Sequence, residues 1–262
     1  MLDVAREIQL RIKHWAYAYQ ITNDSSFLER TWTELQHAAG NGSASFGSDD
    51  DRWNSVHFLD VAEFTAAFAI AYDWLYDAWT DTQRDAIMWT MLTYGIAKGN
   101  EAYDNSAWFL STNGNWNCVC NGGLTLGALA IIDRDPTGAA SRLLQRTVPN
   151  ANANCVTAVQ PDGTWSETSD YWYFGSTGHA QMAAGLLTAT GSTQELLTSN
   201  SNFNKTGLFH MYGSGFVEKF NYGDCGPNKY TATANCLMFY GEQMDSACMV
   251  SSPALSWEAP VS

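Results

Sequence analysis

The sequence predicts an all-α fold of stacked helical hairpins, and two observations carry that expectation. Apolar, helix-forming segments recur at Ala16–Tyr19, Ala69–Tyr72, Ala128–Ile132 and Leu186–Ala189, with a fifth candidate at Cys236–Tyr240. Their interval, roughly 55 residues, suits one hairpin with its loops, and stacked hairpins build a solenoid or close into an (α/α) toroid. Strand signals are sparse, and only Phe216–Tyr222 alternates, weakly. A hydrophobic share of 45% over 262 residues supplies a sizeable core, in one large domain or two small ones.

The elements follow in order. Residues 1–20 read as an amphipathic helix carrying Arg6, Arg11 and Lys13 rather than as a signal peptide, so the chain is expected to be a mature form or an excised piece. Outer helices are expected at 25–39, 81–98 and 137–148, with Thr80 capping the second and Pro136 opening the third. His14 and His37 fall in amphipathic helices. His57–Trp79 is long and apolar, but Asp60, Glu63, Asp73 and Asp77 interrupt it. A membrane span rarely tolerates such acids, so this segment reads as a helix buried on most sides. Asn41–Asn54, Asn113–Gly123, Gln160–Gly178 and Tyr222–Pro227 read as the loops, where chemistry is expected. The helical domain is expected to span 1–250, and 251–262, with two prolines, to be a linker or tail.

Charge and composition narrow the function. The net charge of −14 argues against nucleic acid, against anionic membrane surfaces and against densely sulfated polyanions. A substrate with one carboxylate per sugar stays open. Eleven tryptophans suit sugar stacking or a large aromatic core equally. The six cysteines show no zinc spacing, and no metal or cofactor is expected; Cys118 and Cys120 lie too close for a disulfide and are expected as buried thiols near the site. Sequons at Asn23, Asn41 and Asn204 fit a secreted glycoprotein.

Two stretches concentrate chemistry. Pro161–Gly175 crowds Trp165, Glu167, Asp170, Tyr171, Trp172 and Tyr173 behind a Pro-Asp-Gly turn. Asn113–Gly123 brings Asn115, Asn117 and Asn121 to a helix start, where amides and backbone N–H groups bind an anion such as a uronate carboxylate or simply cap the helix. Tyr171 and Tyr173 are proton-transfer candidates, with aromatic packing as the plain alternative. Glu167 and Asp170 invite a glycosidase reading or serve as helix-start acids. His57 and His179 are the two histidines placed to line a site.

These residues resemble the heparinase II/III-like polysaccharide lyases. The resemblance rests on Trp53-Asn54-Ser55-Val56-His57-Phe58-Leu59-Asp60, on Ala69-Ile70-Ala71-Tyr72-Asp73-Trp74-Leu75-Tyr76, on Asn115–Gly123, on Asp162–Glu167 running to Tyr171-Trp172-Tyr173, and on Phe220–Asp224, in that order along nearly the whole chain. It implies an (α/α) toroid, here incomplete because the β-sheet domains that follow it in the family are missing. It also implies β-elimination at uronic acids of an acidic polysaccharide, outside the cell. Asn115 and Asn117 would neutralise the carboxylate, Tyr171 would be the acid/base, and His179 and Tyr173 would complete the catalytic set. Trp53, His57, Trp116, Asn121, Trp165, Glu167, Trp172 and Asp224 would contact substrate. Where several relatives carry a His after the first Asn of the amide motif, this chain has Trp116. An (α/α) glycoside hydrolase using Asp60, Glu63, Glu167 or Asp170 is the rival enzyme, and a glycan-binding domain the rival without catalysis.

Overall fold

The computed structural model describes residues 1–40, 51–214, 220, 222–225 and 234–245. Among them the regular structure is helical: α1 (Leu2–Thr22), α2 (Ser25–Ala39), α3 (Leu59–Trp74), α4 (Asp81–Met91), α5 (Ala97–Asp104), α6 (Asn115–Ile131), α7 (Ala139–Ala153), α8 (Ser169–Thr190), α9 (Thr206–Tyr212) and α10 (Cys236–Gln243). The all-α expectation holds. The sequon at Asn41, the weak alternation at Phe216–Tyr222 and the tail 251–262 lie wholly or largely outside the described residues. No helix among the described residues is long and apolar enough to cross a membrane.

The chain divides into two compact units, Met1–Ala107 with Cys120–Pro149, and Trp108–Val119 with Asn150–Ser262. In the first unit α1 and α2 form a hairpin. Asn23 ends α1 in the left-handed region at φ 54°, and the Asp24 carboxylate caps α2 by accepting from the Ser26 N–H. The core helix is α3, buried on nearly every face as its apolar run requires. Its Glu63 accepts from Arg6 Nε at 3.1 Å and from Gln9 Nε2 at 2.8 Å, both on α1. That pairing is how a charge enters a buried face without being left unsatisfied. The Thr80 side chain caps α4 in a reciprocal pair with Gln83, and α4 runs through a π-type turn, Leu92–Ile96, into α5. The third outer helix starts later than expected. Pro136 sits in the preceding turn, which Asp135 closes by accepting from Thr137 and Ala140 N–H.

In the second unit, Val159 and Trp165 pair across a short antiparallel bridge. The turn between them holds Gly163 at φ 90°, and the Asp162 carboxylate accepts both the N–H and hydroxyl of Thr164. Those bonds hold the Asp162 carboxyl below its usual range. The Pro-Asp-Gly signal thus builds a real turn. Its loop ends sooner than expected, because Thr168 caps α8 by accepting from the Tyr171 N–H and the helix starts at Ser169.

Candidate functional site

The site in the second unit grows from the close approach of two helix starts. A Cβ on Gly175 of α8 would stand 3.1 Å from the Asn115 Cα and 2.3 Å from the Trp165 ring, and one on Gly178 would stand 2.9 Å from the Cys118 carbonyl oxygen. Only glycine lets α8 lie this near the first turn of α6. Tyr171 precedes Gly175 by four residues, so it lies one turn away on the same face, beside that crossing. Tyr173 is two residues on and faces elsewhere, against Phe174 at 5.6 Å. The two tyrosines are therefore not a pair.

The start of α6 already holds a carboxylate. Glu167 Oε2 accepts the Asn115 N–H at 2.6 Å and Trp165 Nε1 at 3.1 Å, while Oε1 accepts Asn115 Nδ2 at 2.6 Å. Gly114 leaves the room: a Cβ there would meet the same carboxylate at 2.5 Å. An anion was expected at this helix N-terminus, and the protein supplies its own. Asn115 is accordingly buried and committed, and Trp165, 5% exposed, is buried beside it.

The other two amides are core residues, which corrects their expected roles. Asn117, at 0% exposure, donates Nδ2 hydrogens to the Phe109 carbonyl at 3.0 Å and to Asn150 Oδ1 at 2.9 Å. Asn121, also buried, accepts from the Tyr103 hydroxyl at 2.6 Å in the first unit. Neither faces a substrate. Cys118 is corrected too. It forms a buried disulfide with Cys155, 37 residues along, while Cys120 is a buried free thiol that burial pushes up. The bond ties the α6 start to the turn Cys155–Ala158, and closing a loop of that length stabilises by about 3–4 kcal/mol in the chain-entropy account.

His179 belongs to the core as well. Its Nε2 lies 3.0 Å from the Leu196 carbonyl, which can only accept, so Nε2 carries the proton, and its Nδ1 lies 2.9 Å from the Tyr240 hydroxyl, which also donates to the Ser176 carbonyl at 2.9 Å. Phe203 stacks on the ring at 4.1 Å, and burial lowers the pKa to about 4. It is a satisfied structural histidine. Trp172 is equally enclosed, donating Nε1 to Thr206 Oγ1 at 2.8 Å and stacking on His210.

What stays accessible is smaller and more specific. Tyr171 is half-buried, and its hydroxyl donates to Asp224 Oδ2 at 3.3 Å. Trp116 is half-buried in the first turn of α6, and Trp108, 58% exposed, packs against it at 4.7 Å. The sequence reading did not select Trp108. Its exposure follows from the tight turn Trp108–Ser111, whose Ser111 hydroxyl bonds back to the Trp108 carbonyl, and no periodicity announces it. Cys225 stands beside Asp224, where Ser169 and neighbouring N–H groups hold its thiol pKa down against the effect of burial.

Besides Asn121, two expected site residues belong to the first unit. Trp53 is a core residue at 0% exposure, stacked on Phe64 with Nε1 donated to the Ala38 carbonyl. His57 is half-exposed, and its Nδ1 lies 3.2 Å from Asp60 Oδ1. Among the described residues no group of three or more His, Cys, Asp or Glu side chains could hold a metal ion. Comparison of the chain with protein-family models and with curated protein sequences finds no match.

Proposed function

We propose that the chain is the helical, (α/α) toroid-type domain of a polysaccharide lyase that cleaves a uronate-containing glycan by β-elimination. The observation that carries this reading is the accessible Tyr171 hydroxyl on an aromatic-lined helix start, paired with Asp224. Tyr171 gives its hydroxyl hydrogen to Asp224, which marks it as the hydrogen donor of the site and casts it as the acid. In the reaction a base takes the proton beside the sugar carboxylate. That C–H pair becomes the new double bond, the C4–O bond breaks, and Tyr171 protonates the leaving oxygen. Trp116 and Trp108 offer ring faces to the chain of sugars. Glu167 and Asn115 hold the α6 turn in place rather than meeting the substrate.

The hydrolase reading has less support. It needs a free pair of acids, yet Glu167 is held by Asn115 and Trp165, Glu63 by Arg6 and Gln9, and Asp60 and Asp170 are buried. A secreted, oxidising setting fits the Cys118–Cys155 disulfide and the exposed Asn23. Incubation with alginate, glucuronan, pectate and glycosaminoglycans tests the reading. An ultraviolet-absorbing unsaturated product from one of them is expected. New reducing ends without that absorbance would establish hydrolysis instead, and binding without either would leave a glycan-binding domain.

A further inference from the structure

The elimination needs a base as well as an acid, and the second unit holds a carboxylate beside Tyr171. Asp224 is exposed and accepts the Tyr171 hydroxyl through Oδ2 at 3.3 Å. Among the described residues no hydrogen bond reaches its other oxygen, Oδ1. Both residues belong to the second unit. Their pairing is built from two sides. Tyr171 stands in the first turn of α8, where its N–H donates to the capping Thr168 side chain. Asp224 stands on a turn closed by the Cys225 N–H on the Tyr222 carbonyl at 3.2 Å. That turn is seated on the same helix start. A Cβ on Gly223 would stand 3.1 Å from Thr168 Cγ2, and Cys225 Sγ lies 3.5 Å from Ser169 Oγ. Gly223, at φ 55°, takes the left-handed conformation that lets the turn sit so close.

The geometry points to Asp224 as the base of the elimination, on the same side of the sugar as Tyr171, and so to glucuronate or mannuronate as the sugar attacked. The assignment rests on the lyase reading of this site. A carboxylate is a competent base for a hydrogen on the carbon beside a carbonyl group when the site holds it against that hydrogen. Asp224 takes the C5 proton and the C–H pair becomes the C4–C5 double bond. The C4–O bond breaks, its electron pair leaves with the oxygen, and Tyr171 gives that oxygen its hydrogen. The carboxyl proton of Asp224 then passes to the Tyr171 phenolate across their contact, and the pair returns to its starting state with no further reactant. A base and an acid this close serve one face of a ring. In glucuronate and mannuronate the C5 hydrogen and the C4 oxygen lie on the same face, so one such pair reaches both. In galacturonate, guluronate and iduronate they lie on opposite faces, and base and acid would have to stand on either side of the sugar.

Glucuronan, hyaluronan, polymannuronate, polyguluronate and polygalacturonate, each incubated with the full chain and followed by ultraviolet absorbance, separate the outcomes. Unsaturated product from at least one of the first three and none from the last two is expected. Product from polyguluronate or polygalacturonate keeps the lyase reading and overturns the one-sided pair. No product from any of the five sinks the lyase reading, and the assignment of Asp224 with it. On a polymer that is cleaved, Asp224→Asn keeps the shape of the side chain and an oxygen for the Tyr171 hydroxyl while removing the base. Its kcat should fall about 10²–10⁴-fold, with KM within a few-fold of normal and the circular dichroism spectrum unchanged. Because Asp224 is exposed, this replacement does not hinge on refolding a core. A kcat within a few-fold of normal in Asp224→Asn overturns the assignment and leaves Tyr171 as the acid.

Discussion

Asn117 donates two hydrogen bonds inside the second unit, to the Phe109 carbonyl and the Asn150 amide oxygen, and its replacement by Ala removes both. Each such bond contributes about 0.5–1.5 kcal/mol net. Asn117→Ala should therefore lower the melting temperature by several degrees while leaving turnover of the folded fraction nearly intact. An unchanged melting curve with elimination down about 10²-fold would return Asn117 to the substrate. His179 gives a pH signature. Its folded pKa of about 4 lies below the ordinary 6.5, so the folded state disfavours protonation. The stability it contributes is full above pH 6.5 and falls as the pH drops from there towards 4, by about 3 kcal/mol in all. Denaturant titrations across that range should show the decline, and His179→Gln, weaker at neutral pH, should show a flatter one. Equal slopes would mean that the ring is already charged in the fold.

At the scale of elements, the α6–α8 crossing is the part that the site depends on most. Gly175→Ala drives a methyl into the Trp165 ring and the Asn115 backbone, and overpacking of this kind costs about 1–3 kcal/mol. Turnover should suffer beyond the stability loss, because Tyr171 and the α6 turn are displaced together; a variant as stable and active as the original would mean that the crossing is looser than the structure shows. Much of this architecture was legible in the sequence. The hairpin of α1 and α2, the Thr80 cap and the buried α3 follow from apolar periodicity and cap residues, which act locally. The site was legible only as a neighbourhood. Amides, indoles and imidazoles read identically whether they line a groove or satisfy a core, and the choice is made by partners distant in sequence, as with Asn117 and Asn150 or His179 and Leu196. The Cys118–Cys155 bond was missed for the same reason: spacing excluded Cys120 as a partner of Cys118 without pointing to Cys155.

At the scale of the whole molecule, a net charge of −14 bears on the proposal. An acidic enzyme and a uronate polymer repel at long range, and added salt screens that repulsion. The KM for the polymer should fall as ionic strength rises from a few millimolar towards physiological values, opposite to the behaviour of a basic enzyme on the same substrate. A KM that rises steadily with salt would point to a cationic binding surface that the chain's composition does not suggest. The central claim, that Tyr171 transfers a proton in a β-elimination, meets its most direct test in the ultraviolet absorbance of unsaturated product. Tyr171→Phe keeps the ring and removes only the hydroxyl given to Asp224. The account predicts product from the unaltered protein and about 10²–10⁴-fold less from Tyr171→Phe with polymer binding retained; undiminished product from that variant would contradict it.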